Sequence, residues 1–325
     1  MDPLNVTTCY EPGPRVSIII LKLNGYSDTR DCLESLRHVQ YPNFDVFVLD
    51  NGSSDNSADR LQVEFPSAKV LRSKDNRGFA GGNNLAIKEA VLNGAAYVLL
   101  LNNDTIVDSD ILTHLVAAGE DNSQVGILGP KILYYSEPQR IWYAGGIVKY
   151  ATGICQHVGL DEIDQDSKFC CVEDTQFVTG CAMMIKSRIL QEIGLLDDGL
   201  FAYWEDADFC MRAQIAGYHC IFVPMARVWH KISQTAGSDS PFTFYLTTRN
   251  HLTWITRHIP FPYKAIALPL TLVRKIAKML LLVLESPESA VAVWTGIVGF
   301  IFQTSGVPRQ WLRPKAPLRS TNMSS

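Results

Sequence analysis

The sequence predicts an α/β fold, a mostly parallel central sheet flanked by helices, with amphipathic helices toward the C-terminal end. Three observations predict it. Between residues 16 and 101, short β-branched or aliphatic runs alternate with segments whose apolar positions recur at helical spacing, the pattern of strand–helix–strand crossovers. Clusters of Asn, Asp, Gly and Ser follow those runs, at the strand ends where ligands sit in such sheets. The composition, 47% hydrophobic and 19% charged over 325 residues, is that of a globular chain of about two domains. It excludes disordered, collagen-like and small disulfide-stapled classes.

Taken in order, Val16 to Leu21 is a β-branched run bounded by Pro14 and by Asn24-Gly25, as expected of a strand buried on both faces. A helix follows over 28–38, with Cys32, Leu33 and Leu36 on one face and Asp28 placed to cap it. Phe44 to Leu49 forms the second strand and ends in Asp50-Asn51-Gly52-Ser53-Ser54-Asp55, a dense turn cluster. A helix over 56–65 and a strand over 68–72 come next. Then Asn76-Arg77-Gly78-Phe79-Ala80-Gly81-Gly82-Asn83-Asn84 reads as a glycine-rich loop opening a helix over 84–93. The strand Tyr97 to Leu101 ends in Asn102-Asn103-Asp104. Beyond it the pattern is less regular, with strand-like pieces near 127–134, 141–148 and 176–185, a helix over 205–216 and a strand over 219–223.

A net charge of −4, from 29 Lys and Arg against 33 Asp and Glu, gives no support to a dedicated nucleic-acid binder. The charge is unevenly placed. Ten basic and two acidic residues give residues 249–325 a charge of +8, which leaves −12 for residues 1–248. The eight cysteines are scattered without a C-x-x-C pair and read as reduced, mostly buried thiols of a cytosolic protein. Met1 to Arg15 has an acid at position two and no apolar core, unlike a secretory signal. The stretch 264–284 is long enough to span a bilayer, but Pro269, Arg274, Lys275 and Lys278 interrupt it; 289–303 is nearly uncharged and short. With Trp294 and Trp311 nearby, both are expected to lie in an anionic membrane interface. Helices packed on the rest of the chain, or a spanning hairpin, are the other readings.

Chemistry-bearing residues gather in four places. Asp50, in a turn cluster, has the charge to accept the imide hydrogen of a uracil or thymine ring. The 76–84 glycines have the small size of a phosphate loop but match neither dinucleotide nor Walker spacing. Asp104 is either a ligand for a hard divalent cation bridging a diphosphate or a cap ahead of Ile111. In Trp204-Glu205-Asp206-Ala207-Asp208 the acids suit a helix start, while an aromatic beside carboxylates also suits a sugar. His230, 24 residues beyond Asp206, is either a metal ligand returning to the same face or a structural histidine.

Together these motifs resemble family 2 glycosyltransferases of the GT-A fold, in the rhamnosyltransferase-like branch. The resemblance spans residues 16–257 and rests on Val16-Ser17-Ile18-Ile19-Ile20, Asp50 to Asp55, the 76–84 segment and Asn102-Asn103-Asp104-Thr105. It continues through Thr179-Gly180-Cys181, Trp204 to Asp208, Arg212, Gly217-Tyr218, Trp229-His230 and Tyr245 to Asn250. It implies inverting transfer of a sugar, L-rhamnose from dTDP-rhamnose first, from a nucleotide-diphospho-sugar donor to a glycan or polyprenyl-linked glycan, with Mg2+ or Mn2+. By the same resemblance Asp50 binds the pyrimidine, and Asn76 with Gly78 the nucleotide. Lys22, Asn24, Asn102, Asn103 and Arg249 belong to the donor side, and Asp104 with His230 holds the metal. Asp206 is the general base; Glu205, Trp204 and Gly180 contact the acceptor. Lys22-Leu23-Asn24-Gly25 stands where the family commonly has Asn-Trp/Tyr-Asn-Gly, and Asn102 where it often has Asp. A catalytically inactive sugar-binding subunit of the same fold, and a transferase using another UDP-sugar, are the alternatives. The implied organisation is an extension over 1–14, a catalytic unit over 15–258 (nucleotide half 15–108, acceptor half 109–258), and a basic, membrane-associating helical region over 259–325, acting at the cytoplasmic membrane face.

Overall fold

A computed structural model describes residues 13–165, 167–232 and 239–308. Cys9, Trp311 and the basic residues Arg309, Arg313, Lys315 and Arg319 lie outside the described residues. The first half follows the alternation: β1 (Val16–Lys22), α1 (Tyr26–Leu36), β2 (Phe44–Asn51), α2 (Ser57–Glu64), β3 (Lys69–Ser73), α3 (Gly78–Leu92) and β4 (Tyr97–Asn102). All three strand pairings here are parallel, in the order β4-β1-β2-β3. Ile18, Ile19 and Ile20 are fully buried, as a strand covered by helices on both faces requires. The registers Lys22↔Asp50 and Leu21↔Asn102 bring the polar ends of β1, β2 and β4 to one level.

Two local readings change. The first helix starts at Tyr26 from Gly25 at φ +71°, so Asp28 lies in its first turn rather than capping it. The glycines of 78–82 are not a loop but the opening turns of α3. Glycine is a poor helix former, and packing overrides the preference: a Cβ on Gly82 would lie 2.5 Å from the Leu21 side chain, and one on Gly78, at φ +72°, 2.3 Å from the Phe201 carbonyl.

The second half comprises β5 (Thr105–Val107), α4 (Ile111–Asp121), β6 (Val125–Tyr134), β7 (Ile141–Tyr143), β8 (Gly146–Lys149), β9 (Ile154–His157), β10 (Glu173–Thr175), β11 (Ala182–Lys186), α5 (Ser187–Ile193), α6 (Glu205–Ile215) and β12 (His219–His230). It extends the sheet as β10-β12-β6-β11-β4. Here the sheet is mixed: β11 runs antiparallel to both β4 and β6, whereas β12 is parallel to β6. Strand β12 runs seven residues beyond the expected end, past a register shift between Val223 and Arg227, because its far end pairs with β5. That pairing sets His230 opposite Thr105. One continuous apolar core runs from Val16 through Trp254.

Three helices close the chain: α7 (Pro241–His258), α8 (Tyr263–Glu285) and α9 (Pro287–Ile301). They share a small core of Leu252, Leu282, Val293 and Ile297. Among the described residues no helix is long and apolar enough to cross a membrane.

Candidate active site

A cavity of about 760 Å³ opens at the carboxyl ends of β1 and β4. Lys22, Asn76, Gly78, Asn102, Asn103, Asp104, Gly180, Trp204, Glu205, Asp206 and His230 all line it. These eleven residues come from segments up to 208 positions apart in the chain. Three other nominated residues do not line it. Asn24, at φ +57°, gives its N–H to Ser53 Oγ (2.7 Å) and accepts the Ser54 N–H (3.0 Å), so it shapes the β1–α1 turn. Asp50 sits behind Lys22, whose buried ammonium bonds its Oδ1 at 3.1 Å, and Ser53 bonds the same oxygen. Arg249 is 2% exposed, and its guanidinium is held by the carbonyls of Gly199 (2.8 Å), Leu200 (3.1 Å) and Gly306. A role at the donor diphosphate is therefore corrected: Arg249 is a carbonyl clamp buried away from the cavity.

The β5–β12 pairing makes the metal-type pair. His230 Nε2 lies 3.1 Å from Asp104 Oδ1, both residues 7% exposed, and the Lys231 N–H donates to the Asp104 carbonyl at 2.9 Å. Burial opposes charging of His230, but Cys181 and Asp104 beside it more than reverse that and hold the imidazole up to about 10. One nitrogen and one carboxylate, side by side on a cavity wall, form a donor set suited to Mn2+ and acceptable to Mg2+. Among the described residues no group of three or more His, Cys, Asp or Glu side chains is placed to hold a metal ion. Two protein donors fit an ion that takes its remaining ligands from phosphate and water.

Asp206 is the second residue of α6, and its orientation is fixed by the backbone. The Gly180 N–H bonds Oδ2 at 2.9 Å and the Ala207 N–H bonds Oδ1 at 2.7 Å. Burial raises its pKa against the pull of those two N–H groups. Gly180 thus serves the cavity by holding a carboxylate. Its neighbour Glu205 is 5% exposed, with Oε2 buried and unpartnered among the described residues. Burial, and then the Asp206 charge, push Glu205 well above its usual value and favour the neutral form, which can donate a hydrogen bond. Asp208 faces away: it pairs with Arg212 (2.9 Å) and His258 (2.8 Å), binding α6 to the end of α7.

The approach to Asp206 is strained. Phe201, Tyr203 and Trp204 all have φ between +67° and +74°, a conformation costly for aromatic residues and characteristic of functional loops. Asn250 of α7 compensates by donating to the carbonyls of Leu200 (2.8 Å), Ala202 (2.9 Å) and Tyr203 (2.8 Å). The Trp204 indole stacks on His251, 4.2 Å between centroids, so one of its faces is closed to a sugar.

Sequence reasoning missed the wall formed by Trp142, His157 and Phe177. Trp142 stands edge-on between His157 (4.6 Å) and His230 (4.9 Å). His157 Nδ1 lies 3.1 Å from the Trp142 carbonyl, which marks it as the protonated nitrogen, and burial lowers the pKa, so Nε2 remains an acceptor. The only available signal was one histidine in a four-residue strand, which periodicity cannot resolve.

The model of the family described as "Glycosyl transferase family 2" matches residues 17–194. An uncharacterized protein of Sinorhizobium fredii is 31% identical over 71% of this chain and 26% of its own length. The poly-β-1,6-N-acetyl-D-glucosamine synthase of Staphylococcus epidermidis is 24% identical over 68% of this chain and 51% of its own. The chain thus spans about a quarter and about half of the length of these curated relatives. Among solved structures, GalNAc-T7 with UDP, GalNAc and Mn2+ superposes with a TM-score of 0.60 at 17% identity, over 76% of this chain and 49% of that one. The mannosyltransferase of Pyrobaculum calidifontis with GDP-Man and Mn2+ gives 0.57 at 16% identity, over 90% and 88%. At such identities these likenesses establish the fold, that of GT-A glycosyltransferases.

Proposed function

The chain belongs to glycosyltransferase family 2, and from that premise we propose that it performs inverting, metal-dependent transfer of a sugar from a pyrimidine nucleoside diphosphate to a hydroxyl of a glycan or lipid-linked glycan. One observation carries the reading: Asp206 and the Asp104–His230 pair line the same cavity, whose volume of about 760 Å³ suits a nucleotide sugar. Asp104 and His230 are the residues that would hold the divalent ion. Bound there, it would neutralise charge developing on the departing diphosphate.

This chain's own residues do the rest. Asp206, oriented by Gly180 and Ala207, takes the proton from the acceptor hydroxyl as that oxygen attacks the anomeric carbon. Attack from the face opposite the diphosphate inverts the centre and needs no covalent sugar–enzyme intermediate. Glu205 remains neutral beside the base and donates to the acceptor. Lys22, Asn76 and the Asn102-Asn103 pair line the donor end, with Asp50 reaching the base only through the Lys22 side of the cavity.

L-Rhamnose from dTDP-rhamnose is the first donor, on branch resemblance. UDP-N-acetylglucosamine is the second, favoured by likeness to the poly-N-acetylglucosamine synthase. Calorimetry with UDP and dTDP in the presence of Mn2+, run beside a turnover assay on Asp206→Asn, tests the assignment. Nucleotide binding within a few-fold of wild type with transfer abolished supports it, and near-normal turnover removes Asp206 from the base role.

A further inference from the structure

Helices at the surface of a folded domain bury one apolar face and show water a polar one. α8 and α9 show water a second apolar face. Inward, Leu282 of α8 and Val293 and Ile297 of α9 are buried against Leu252 of α7. Outward on α8 stand Ile266, Val273, Leu280 and Leu284, between 56 and 92% exposed. With half-buried Leu270 and exposed Ala277 they follow one another at steps of four and three, a stripe along about 27 Å of helix. α9 adds Val291, Trp294 and Ile301, again at helical spacing and each more than half exposed.

Charge selects the occupant. Exposed Arg274 and Lys278 lie one turn apart at the edge of the stripe, and no acidic residue occurs between Tyr263 and Leu284. A second copy docking on the stripe would bring Arg274 and Lys278 against their like, the exposed acids Glu285 and Glu288 lying only at the α8–α9 turn. Beyond residue 308 the sequence adds Arg309, Arg313, Lys315 and Arg319 and no acid. α8, with three cations in its middle, is unsuited to crossing a bilayer. We propose that the outward α8–α9 face lies flat in an anionic lipid surface, the stripe at the acyl boundary and the cations among the headgroup phosphates. The inference stands apart from the transfer reaction, because its readout is lipid binding alone.

Flotation of the full chain with phosphatidylcholine vesicles, with and without phosphatidylglycerol, tests it. The expected result is binding to the anionic vesicles that weakens with salt, and a loss of about tenfold or more in Leu280→Glu/Leu284→Glu. Circular dichroism checks the fold of that variant. Should it unfold, Arg274→Gln/Lys278→Gln decides, by losing the preference for anionic lipid. Failure of the wild-type chain to float, equal binding to neutral vesicles, or a dimer in light scattering that the Leu280→Glu/Leu284→Glu variant dissolves would each overturn it.

Discussion

Asp206 derives its reactivity from where its two oxygens are held. Each already accepts one backbone N–H, yet burial still raises its pKa. A base must be ionised to work, so transfer falls as pH drops through that raised value, and a pH–kcat/KM profile reads the limb directly. Asp206→Asn keeps the shape of the side chain and removes its basicity; transfer is expected to drop by roughly 10²–10⁴-fold, with the acid limb gone from the residual rate. His230 gives a separate handle. Its Nε2 lies 3.1 Å from Asp104 Oδ1 across 126 positions, while Nδ1 on the other side of the ring is buried without a hydrogen-bond partner among the described residues. His230→Ala is expected to raise the Mn2+ concentration for half-activation by roughly tenfold or more, in the range that even outer-shell ligand losses produce; an unchanged titration makes the histidine structural. Most of these groups were legible as residue types at strand ends. The surroundings of Asp50 and Arg249 were not legible, because a charge in a motif does not reveal its partner: Lys22 and Ser53 hold one, and three backbone carbonyls the other.

At the scale of elements, the loop before α6 depends on α7. Phe201, Tyr203 and Trp204 hold left-handed dihedrals at a cost on the order of 1–3 kcal/mol each, and Asn250 binds three carbonyls of that loop from a fully buried position. Asn250→Ala leaves those carbonyls without their donor, so urea denaturation should show a loss of about 2 kcal/mol. The loop also delivers Trp204, Glu205 and Asp206 to the cavity, and transfer should therefore fall further than the affinity for UDP measured by calorimetry; an equal fall in both would reduce Asn250 to a purely structural role. The β-branched runs and crossover helices of the first half were readable because each element is long and locally periodic. β5 has three residues, and the last third of β12 is held by long-range pairing with it and with β6. A contact between positions 105 and 230 leaves no periodic trace in either segment, so the Asp104–His230 pair was predictable by resemblance and not by pattern. The helical glycines of α3 were misread for a related reason, their propensity being overruled by close approach to Leu21 and Phe201.

Across the whole molecule, the cavity joins the parallel half of the sheet, with Lys22, Asn76 and Asn102, to the mixed half, with Gly180, Asp206 and His230. Neither half holds a complete site. A ligand that bridges both halves stabilises the folded chain by its binding free energy, about 2.7 kcal/mol at one hundred times the dissociation constant. Thermal unfolding should therefore rise by several degrees with UDP or dTDP in the presence of Mn2+, and by much less with either the nucleotide or the metal alone. In His230→Ala the nucleotide-only shift should survive while the increment added by Mn2+ disappears. Extending the panel to dTDP-rhamnose and UDP-N-acetylglucosamine then separates the two donors, because the sugar that reaches the Asp206 side of the cavity adds stabilisation beyond its own nucleotide and the other does not. Equal shifts for all nucleotides, purines included, would mean that the cavity does not read a pyrimidine donor.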